Sequence, residues 1–375
     1  MNDRRGLAPG LSLYLDLLRF FLAFVVLLSH TQSKGYTDGV FYWRVYIFGH
    51  PAVIGFFVLS GFVIAYVVDS RERDLPSYAA SRCSRLYSVV LPALALTAII
   101  DAIGWRVMPE HYLHSPLGTG VGHVPLRYGL ALLMGTSFGV AGLPFGNYNP
   151  DFSPGTNQPL WSLSYEVIYY IAFAVMLFCA GRRRIILLIV VGIVAGPMIL
   201  AEYPIWLMGV AVYHLLRRRA PRPGVSGVAL VLSWLLLIGV GVPSAGPWLP
   251  SVVTNQIAYD YIVGLLFAAN IYAAGGVAAF FARHLSRHAT VIRWLGMATF
   301  PLYLSHRPVL QFVSGIHVGQ VGGVAQTLWI LGWIAAATVL LTLLSERLRA
   351  MIRTRLMRWW KPDLVGAAAV SAPTA

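Results

Sequence analysis

An arginine and a histidine lie on one apolar segment near the start of the chain. Arg19 and His30 are eleven residues apart within "LDLLRFFLAFVVLLSH", residues 15–30. At about 100° per residue they share one helix face, about 16 Å apart along the axis. Asp16, three residues before Arg19, can pair with it on that face. Charges at membrane depth are costly and usually mark a function, so we predict that this face lines a protein interior or a wet cavity.

A second candidate site is a pair of arginines about one helical turn apart. Arg82 and Arg85 lie within "RCSR", at the cytoplasmic entrance of the third apolar segment. Guanidinium groups bind phosphate through paired, charge-assisted hydrogen bonds. We therefore predict that a phosphate-bearing donor enters from the cytoplasm and contacts this pair. The alternative is that both are ordinary positive charges of a cytoplasmic loop.

Candidate acid–base residues are predicted nearer the outer side of the membrane. His30 ends the first apolar segment, Glu166 lies about two turns inside the fourth, and His306 lies in the outer part of the ninth. A histidine near a carboxylate suits removal of a proton from a hydroxyl near neutral pH. We predict that His30 and Glu166 are catalytic. His306 is a further candidate, with the alternative that it only packs the ninth helix against the first.

Other polar positions allow both a structural and a functional interpretation. Asp260, with Tyr259 and Tyr261, could line an acceptor site, but an interfacial aromatic belt explains these residues equally well. Ser60, in a small-residue "SGF" step, is typical of close helix packing. His50 is predicted to lie at the outer surface.

The composition is that of an integral membrane protein. Of 375 residues, 58% are hydrophobic and 11% are charged, with a mean hydropathy of +0.69. The net charge of +14 resides in clusters between apolar runs, which indicates topology and not nucleic-acid binding. Cys83 and Cys179 have neither metal-ligand spacing nor a disulfide pattern, so no metal is expected.

Hydropathy and the arginine clusters predict an all-α polytopic membrane protein with about ten transmembrane helices and both termini in the cytoplasm. The predicted spans are 11–30, 47–68, 86–104, 160–180, 184–200, 203–216, 225–243, 257–281, 291–313 and 322–345. Residues 105–159 stay outside, so the glycine-interrupted piece 126–142 is predicted to be re-entrant or interfacial. Residues 1–345 form the predicted membrane-embedded domain, and residues 346–375 form a cytoplasmic tail that is basic and then disordered.

Five motifs follow one another along the chain. They are the Arg-x10-His spacing of Arg19 and His30, "FFVLSGFVIAY" from Phe56, "RCSR" from Arg82, "QPLWSLSYEVIYY" from Gln158 and "FPLYLSHRPV" from Phe300. In this order and spacing the sequence resembles the acyltransferase-3 family of bacterial membrane O-acyltransferases, over about residues 11–345. Trp161 and Tyr303, which the last two motifs carry, become further site candidates together with Asp16 and His306.

The resemblance implies acyl-CoA-dependent transfer, commonly of acetyl, to a hydroxyl of a surface polysaccharide, peptidoglycan, lipo-oligosaccharide or small glycoside. It also implies that the Arg-x10-His and Arg-x-x-Arg residues are needed. Ser305 departs from the pattern, since relatives often carry an aromatic residue there. The chain is expected to be the membrane-only form, without the esterase-like extracellular domain that some relatives carry.

The preferred hypothesis is a multi-pass O-acyltransferase of the bacterial cytoplasmic (inner) membrane, with acetyl-CoA as donor. Arg82 and Arg85 hold the donor phosphates, and Arg19 positions the donor or stabilises developing negative charge. His30 acts as general base, oriented or charged by Glu166. Direct transfer and an acetyl-histidine intermediate are both open.

The rival hypothesis is a proton-coupled transporter of a lipid-linked sugar or a weak acid. A transporter would also place arginine, histidine and glutamate within spans, but it would not require an arginine pair at the inner mouth. The expected partners are acyl-CoA, a saccharide or glycoside acceptor and the lipid bilayer, with no nucleic acid. A homo-oligomer is compatible with the sequence, which specifies neither the acceptor nor the acyl length.

Overall fold

The computed structural model describes seven stretches of the chain. They are residues 6–31, 36, 45–113, 154–219, 221–240, 256–316 and 323–360. The predicted re-entrant piece 126–142 and the predicted disordered end of the tail, from residue 361, lie outside these residues.

The described residues form eleven α-helices and no strand. In chain order they are α1 (Pro9–Thr31), α2 (Gly49–Ser70), α3 (Leu75–Val107), α4 (Pro109–Leu113), α5 (Trp161–Phe178), α6 (Gly181–Arg218), α7 (Pro223–Val240), α8 (Gln256–Gly276), α9 (Ala278–Leu285), α10 (Ala289–Ser314) and α11 (Val324–Trp360). Eight helical segments are long and apolar enough to cross a membrane. The prediction of an all-α polytopic membrane protein is therefore confirmed.

Helix α6 folds back on itself at Gly196. The backbone of Gly196 has φ 74° and ψ 170°, a conformation that favours glycine, and Pro197 follows it as the first residue of a new helical run. Beyond the turn, Leu200 lies within 3.8 Å of the Cβ position of Gly192. Arg217, at the end of α6, lines one surface groove with Phe178, which precedes its start. The two arms of α6 therefore correspond to the predicted spans 184–200 and 203–216, except that the turn lies at Gly196 and not between residues 200 and 203.

Helix α10 occupies the centre of the bundle, where it packs against α1, α3 and α11. It falls outside the eight apolar segments, and almost every residue from Ala298 to Ser314 is buried. A helix surrounded by protein can carry polar groups that lipid would not tolerate. With α10 and the two arms of α6, each of the ten predicted spans has a helical counterpart, while ten membrane crossings remain a prediction.

Helices α2 and α6 touch backbone to backbone. A Cβ atom on Gly209 of α6 would lie 1.9 Å from the carbonyl oxygen of Val58, and one on Gly61 of α2 would lie 2.0 Å from that of Trp206. Only glycine fits at such distances, which is a recurring device for close packing of membrane helices. This contact fixes one wall of the bundle.

Two helices extend beyond the spans predicted for them. Helix α3 begins at Leu75, after Asp74, whose carboxylate accepts a hydrogen bond from the backbone N–H of Ser77 and so caps the helix. Helix α11 continues without a break across the predicted domain boundary at residue 345 to Trp360. The arginines near both of these helix ends are thus held on rigid helices.

The predicted topology places the ends of α4 and α6 on opposite sides of the membrane. We expect cysteines at the exposed positions Leu113 and Arg219, introduced after Cys83 and Cys179 are replaced by serine, to react differently with a membrane-impermeant thiol reagent. Leu113→Cys should react in intact cells, and Arg219→Cys only after lysis. Labelling of Arg219→Cys from outside would contradict the ten-span arrangement.

Candidate active site

A cavity lies between α1, α2, α3, α5 and α10. Its wall is mostly apolar, which suits exclusion of water from a reactive group. The polar residues that line it are Arg19, Ser60, Arg82, Arg85, Ser162, Glu166, Tyr170, Thr299 and Tyr303. We call it the central cavity.

Glu166 is the centre of a hydrogen-bond network in the wall of the central cavity. Its Oε1 accepts hydrogen bonds from Ser60 Oγ at 2.7 Å and from Tyr170 OH at 2.5 Å. Ser60 Oγ in turn accepts one from the indole N–H of Trp206 at 3.2 Å. The sequence assigned Ser60 to helix packing, but the neighbouring Gly61 makes the helix contact and Ser60 faces the cavity.

Arg82 is held rigidly in the cavity wall. Its Nη2 lies 2.7 and 2.8 Å from the two carboxylate oxygens of Glu72, and both side chains are buried. The guanidinium also lies over the rings of Tyr78 and Tyr170, 5.4 and 5.8 Å from their centroids. Burial of an ion pair is costly. The enclosure of Arg82 by Glu72 and two tyrosine rings therefore indicates that a cation is needed at this position.

A second, polar cavity adjoins the central one at the end of the bundle where the arginines cluster, and we call it the basic mouth. The two cavities share Arg19, Arg85 and Phe300. The other charged residues that line the basic mouth are Asp16, Arg293, Glu346 and Arg349. The predicted pairing of Asp16 with Arg19 is present, at 3.7 Å.

His30 and His306 form a hydrogen-bonded pair. His30 Nδ1 lies 2.8 Å from His306 Nε2, and the two ring planes are nearly parallel, with centroids 5.0 Å apart. His306 Nδ1 lies 3.1 Å from the carbonyl oxygen of Leu302. Because a carbonyl can only accept, Nδ1 of His306 carries a hydrogen, and its Nε2 accepts in the neutral form. Nδ1 of His30 must then be the donor, which leaves a lone pair on His30 Nε2.

Tyr303 connects the central cavity with the histidine pair. It lines the cavity, and its ring lies 6.1 Å from that of His306. Its hydroxyl lies 2.8 Å from Ser162 Oγ in the first turn of α5. Trp161, the first residue of α5, packs edge-on against Tyr165 at 5.4 Å.

A proline on α10 anchors the segment that leads into α5. Pro308 has no N–H, so the carbonyl of Leu304 lacks its usual helical donor. Asn157 Nδ2 donates to that carbonyl at 2.9 Å, and Gln158 accepts a hydrogen bond from Arg307. The start of α5 is thereby fixed next to the histidine pair.

A family model for the acyltransferase domain of acyltransferase-3 proteins matches residues 12–347. The chain belongs to the acyltransferase-3 family. It is thus a multi-pass membrane acyltransferase, and the match includes every residue that lines the central cavity. No curated protein and no solved structure matches the chain.

In this acyltransferase-3 protein, most of the residues predicted from sequence are brought together. Arg19, Arg82, Arg85, Glu166 and Tyr303 line one cavity. The two predicted histidines pair with each other next to Tyr303 and do not line the cavity. The hydrogen-bond partners of Glu166 are Ser60 and Tyr170, and His30 is not among them.

The sequence did not single out four residues that surround these groups: Glu72, Tyr170, Arg293 and Arg349. Tyr170 is four residues after Glu166, so helical spacing could have placed it on the same face. Arg293 and Arg349 looked like ordinary cytoplasmic charges. No local pattern reveals that Glu72 reaches Arg82.

Asp260 lies apart from the central cavity. It is fully buried, and its Oδ1 accepts hydrogen bonds from His50 at 2.7 Å and Gln256 at 3.0 Å. His50, predicted at the outer surface, is thus partly covered. Within the part of the chain that the structure describes, no group of three or more histidine, cysteine, aspartate or glutamate residues is arranged to hold a metal ion.

Proposed function

We propose that this protein transfers an acyl group, most simply acetyl, from acyl-CoA to a hydroxyl of a surface saccharide or glycoside at the bacterial inner membrane. One observation carries the proposal. Two adjoining cavities share Arg19 and Arg85, and the central cavity ends at Tyr303 beside the His30–His306 pair. Such an arrangement suits a long donor with phosphates at one end and a reactive thioester at the other.

The donor phosphates lie at the arginine-rich end of the cavities in this proposal. Arg85 faces both cavities and, within the described residues, makes no hydrogen bond or ion pair, so its guanidinium is available for phosphate. Arg82 supports this site from its fixed position against Glu72. The acyl-bearing arm then extends through the apolar part of the central cavity towards Tyr303.

His30 is the general base of the proposed reaction. Its Nε2 lone pair takes the proton of the acceptor hydroxyl while that oxygen attacks the thioester carbonyl carbon. The carbon–sulfur bond breaks, and the CoA thiolate leaves with the electron pair and is then protonated. His306 orients His30 and fixes its tautomer, the role first assigned to Glu166. An acetyl-histidine intermediate would use the same lone pair, with the acceptor attacking in a second step.

Arg19 and Glu166 act on the donor side of the reaction. Arg19, on the same helix face as His30 but about three turns away, positions the donor by contact with its phosphates. Glu166 fixes the hydroxyls of Ser60 and Tyr170 in the cavity wall, where they contact the donor arm. In this proposal one half of the bundle binds the donor, and the other half, with His30 and His306, transfers the proton.

Loss of Arg85 should weaken donor binding more than loss of a topological arginine. We expect Arg85→Ala to lower acetyl-CoA affinity by about 10- to 100-fold, the value of one charge-assisted hydrogen bond. Affinity is measured by calorimetry on protein purified in detergent. Arg218→Ala, an exposed change at the end of α6, is the control and should have no effect.

Arg82 needs a paired change, because Arg82→Ala alone would leave the Glu72 carboxylate buried without its partner. Arg82→Ala combined with Glu72→Gln removes both charges. Equal affinities for the Arg85 and Arg218 variants would contradict the donor site.

Mass analysis of surface glycans from cells with and without the protein tests the function as a whole. A difference of one acyl group per repeat would identify both the acceptor and the acyl chain. A proton-coupled transporter would instead move its substrate without CoA, and purified protein would leave acetyl-CoA unconsumed. Absence of any acyl difference and of acetyl-CoA turnover would overturn the proposal.

A further inference from the structure

The basic mouth carries a net positive charge. Arg19, Arg85, Arg293 and Arg349 line it together with two carboxylates, those of Asp16 and Glu346. Asp16 pairs with Arg19, and Glu346 lies close enough to Arg349 for electrostatic attraction. The four cations still outnumber the two anions, so the mouth carries an excess of two positive charges.

Three of these guanidinium groups have no hydrogen-bond or ion-pair partner in the part of the chain that the structure describes. Within the described residues, Arg85, Arg293 and Arg349 make no hydrogen bond and no ion pair within 4.0 Å, and Arg293 and Arg349 are exposed. Arg349 is also repelled by Arg82 and Arg85, since the packing of α11 along α3 brings these like charges together. A multivalent anion between them would convert this repulsion into attraction.

The residues follow an order along the route. Arg85 and Arg19 belong to both cavities, whereas Arg293 and Arg349 belong to the basic mouth alone. A donor whose acyl arm fills the central cavity would therefore place its pyrophosphate at Arg85 and Arg19. The part of the donor farthest from the thioester would reach Arg293 and Arg349. In CoA that part is the adenosine with its 3′-phosphate, which carries nearly two negative charges at neutral pH.

We propose that Arg293 on α10 and Arg349 on α11 bind the 3′-phosphate of the donor nucleotide and thereby select CoA over its 3′-dephospho form. This inference rests on the proposed function. The proposal adds two residues from distant parts of the chain to the donor site. It also means that the cytoplasmic extension of α11 contributes to substrate selection. Arg347, two residues away on α11, does not line the basic mouth and serves as a control.

The test compares the affinities of the full-length protein for acetyl-CoA and 3′-dephospho-acetyl-CoA, in detergent, by calorimetry. Wild type should bind acetyl-CoA the more tightly. Arg349→Ala and Arg293→Ala should each lower acetyl-CoA affinity by about 10- to 100-fold, the loss expected for a charge-assisted phosphate contact. Both variants should bind the dephospho form within about twofold of wild type, because that ligand lacks the group in question. Arg347→Ala should behave as wild type with both ligands.

Each other outcome counts against the proposal. Equal losses with the two ligands would mean that the arginines act on a shared part of CoA or on the structure. A lipid headgroup site would give a different pattern. Wild type would bind acetyl-CoA and 3′-dephospho-acetyl-CoA equally well, and added anionic phospholipid would displace acetyl-CoA from wild type but not from Arg349→Ala. Wild-type protein that transfers acetyl groups but does not discriminate the two donors would overturn this inference alone. Wild-type protein that binds neither donor would overturn the proposed function as well.

Discussion

Replacing His30 by glutamine should lower acyl transfer by about 10²- to 10⁴-fold and leave acetyl-CoA binding intact. Glutamine is close to isosteric with histidine, and its amide can still donate a hydrogen bond to His306 Nε2. It cannot take up a proton at neutral pH, so only the proton-transfer function is removed. The arginines of the donor site lie about three helical turns away on α1 or on other helices, and the change should not disturb them.

Purified variants in detergent give both measurements on the same sample, acyl transfer from acetyl-CoA and acetyl-CoA affinity. His30→Ala, which also removes the hydrogen bond, should be at least as inactive as His30→Gln. Near-normal turnover by His30→Gln would show that the histidine is structural. The proposed mechanism would then have to be abandoned, whereas the donor site would stand on its own test.

Replacing His306 by leucine should lower transfer by about 10²- to 10⁴-fold, by analogy with the loss of an orienting partner in serine proteases. Leucine fills a similar volume but offers no acceptor to His30 Nδ1. The imidazole of His30 can then rotate and carry its hydrogen on Nε2, the nitrogen that must accept the proton. Acetyl-CoA binding should again be retained, because His306 does not line either cavity.

A purely structural role for His306 is distinguished by rescue and by spectroscopy. His306→Gln can present its amide oxygen to His30 Nδ1, so it should recover most of the lost activity. Nitrogen chemical shifts of ¹⁵N-labelled histidine should show the Nδ1–H form of His30 in wild type and a shift towards Nε2–H in His306→Leu. Equal activity of the leucine and glutamine variants, with an unchanged tautomer, would contradict the orienting role.

Helical spacing made the local part of the site predictable. Arg19 and Asp16 are three residues apart, and Arg82 and Arg85 are likewise separated by one turn, so their shared faces follow from 100° per residue. The apolar runs likewise indicated the helices, since a membrane span needs about twenty such residues. Both kinds of inference depend on residues that are close in sequence.

Contacts between distant segments could not be predicted in this way. His30 and His306 meet because α1 packs along α10, 276 residues later in the chain. The predicted depth of Glu166 in the membrane placed it near the site. Its hydrogen bond with Ser60, and not with His30, depends on how α5 is rotated about its axis against α2. Arg349 reaches the basic mouth only because α11 continues as a helix beyond the membrane span.

We expect the glycine contact between α2 and α6 to divide the bundle into a stationary part and a movable part. Two backbones that touch at Gly61 and Gly209 cannot slide past each other without a clash, so Ser60 and the wall that it occupies should keep their place during turnover. Helices α3 and α11 line the basic mouth, where Arg349 of α11 is repelled by Arg85 and Arg82 of α3. We expect the spent thiol to leave by separation of these two helices, so the speed of product release would be set at the basic end.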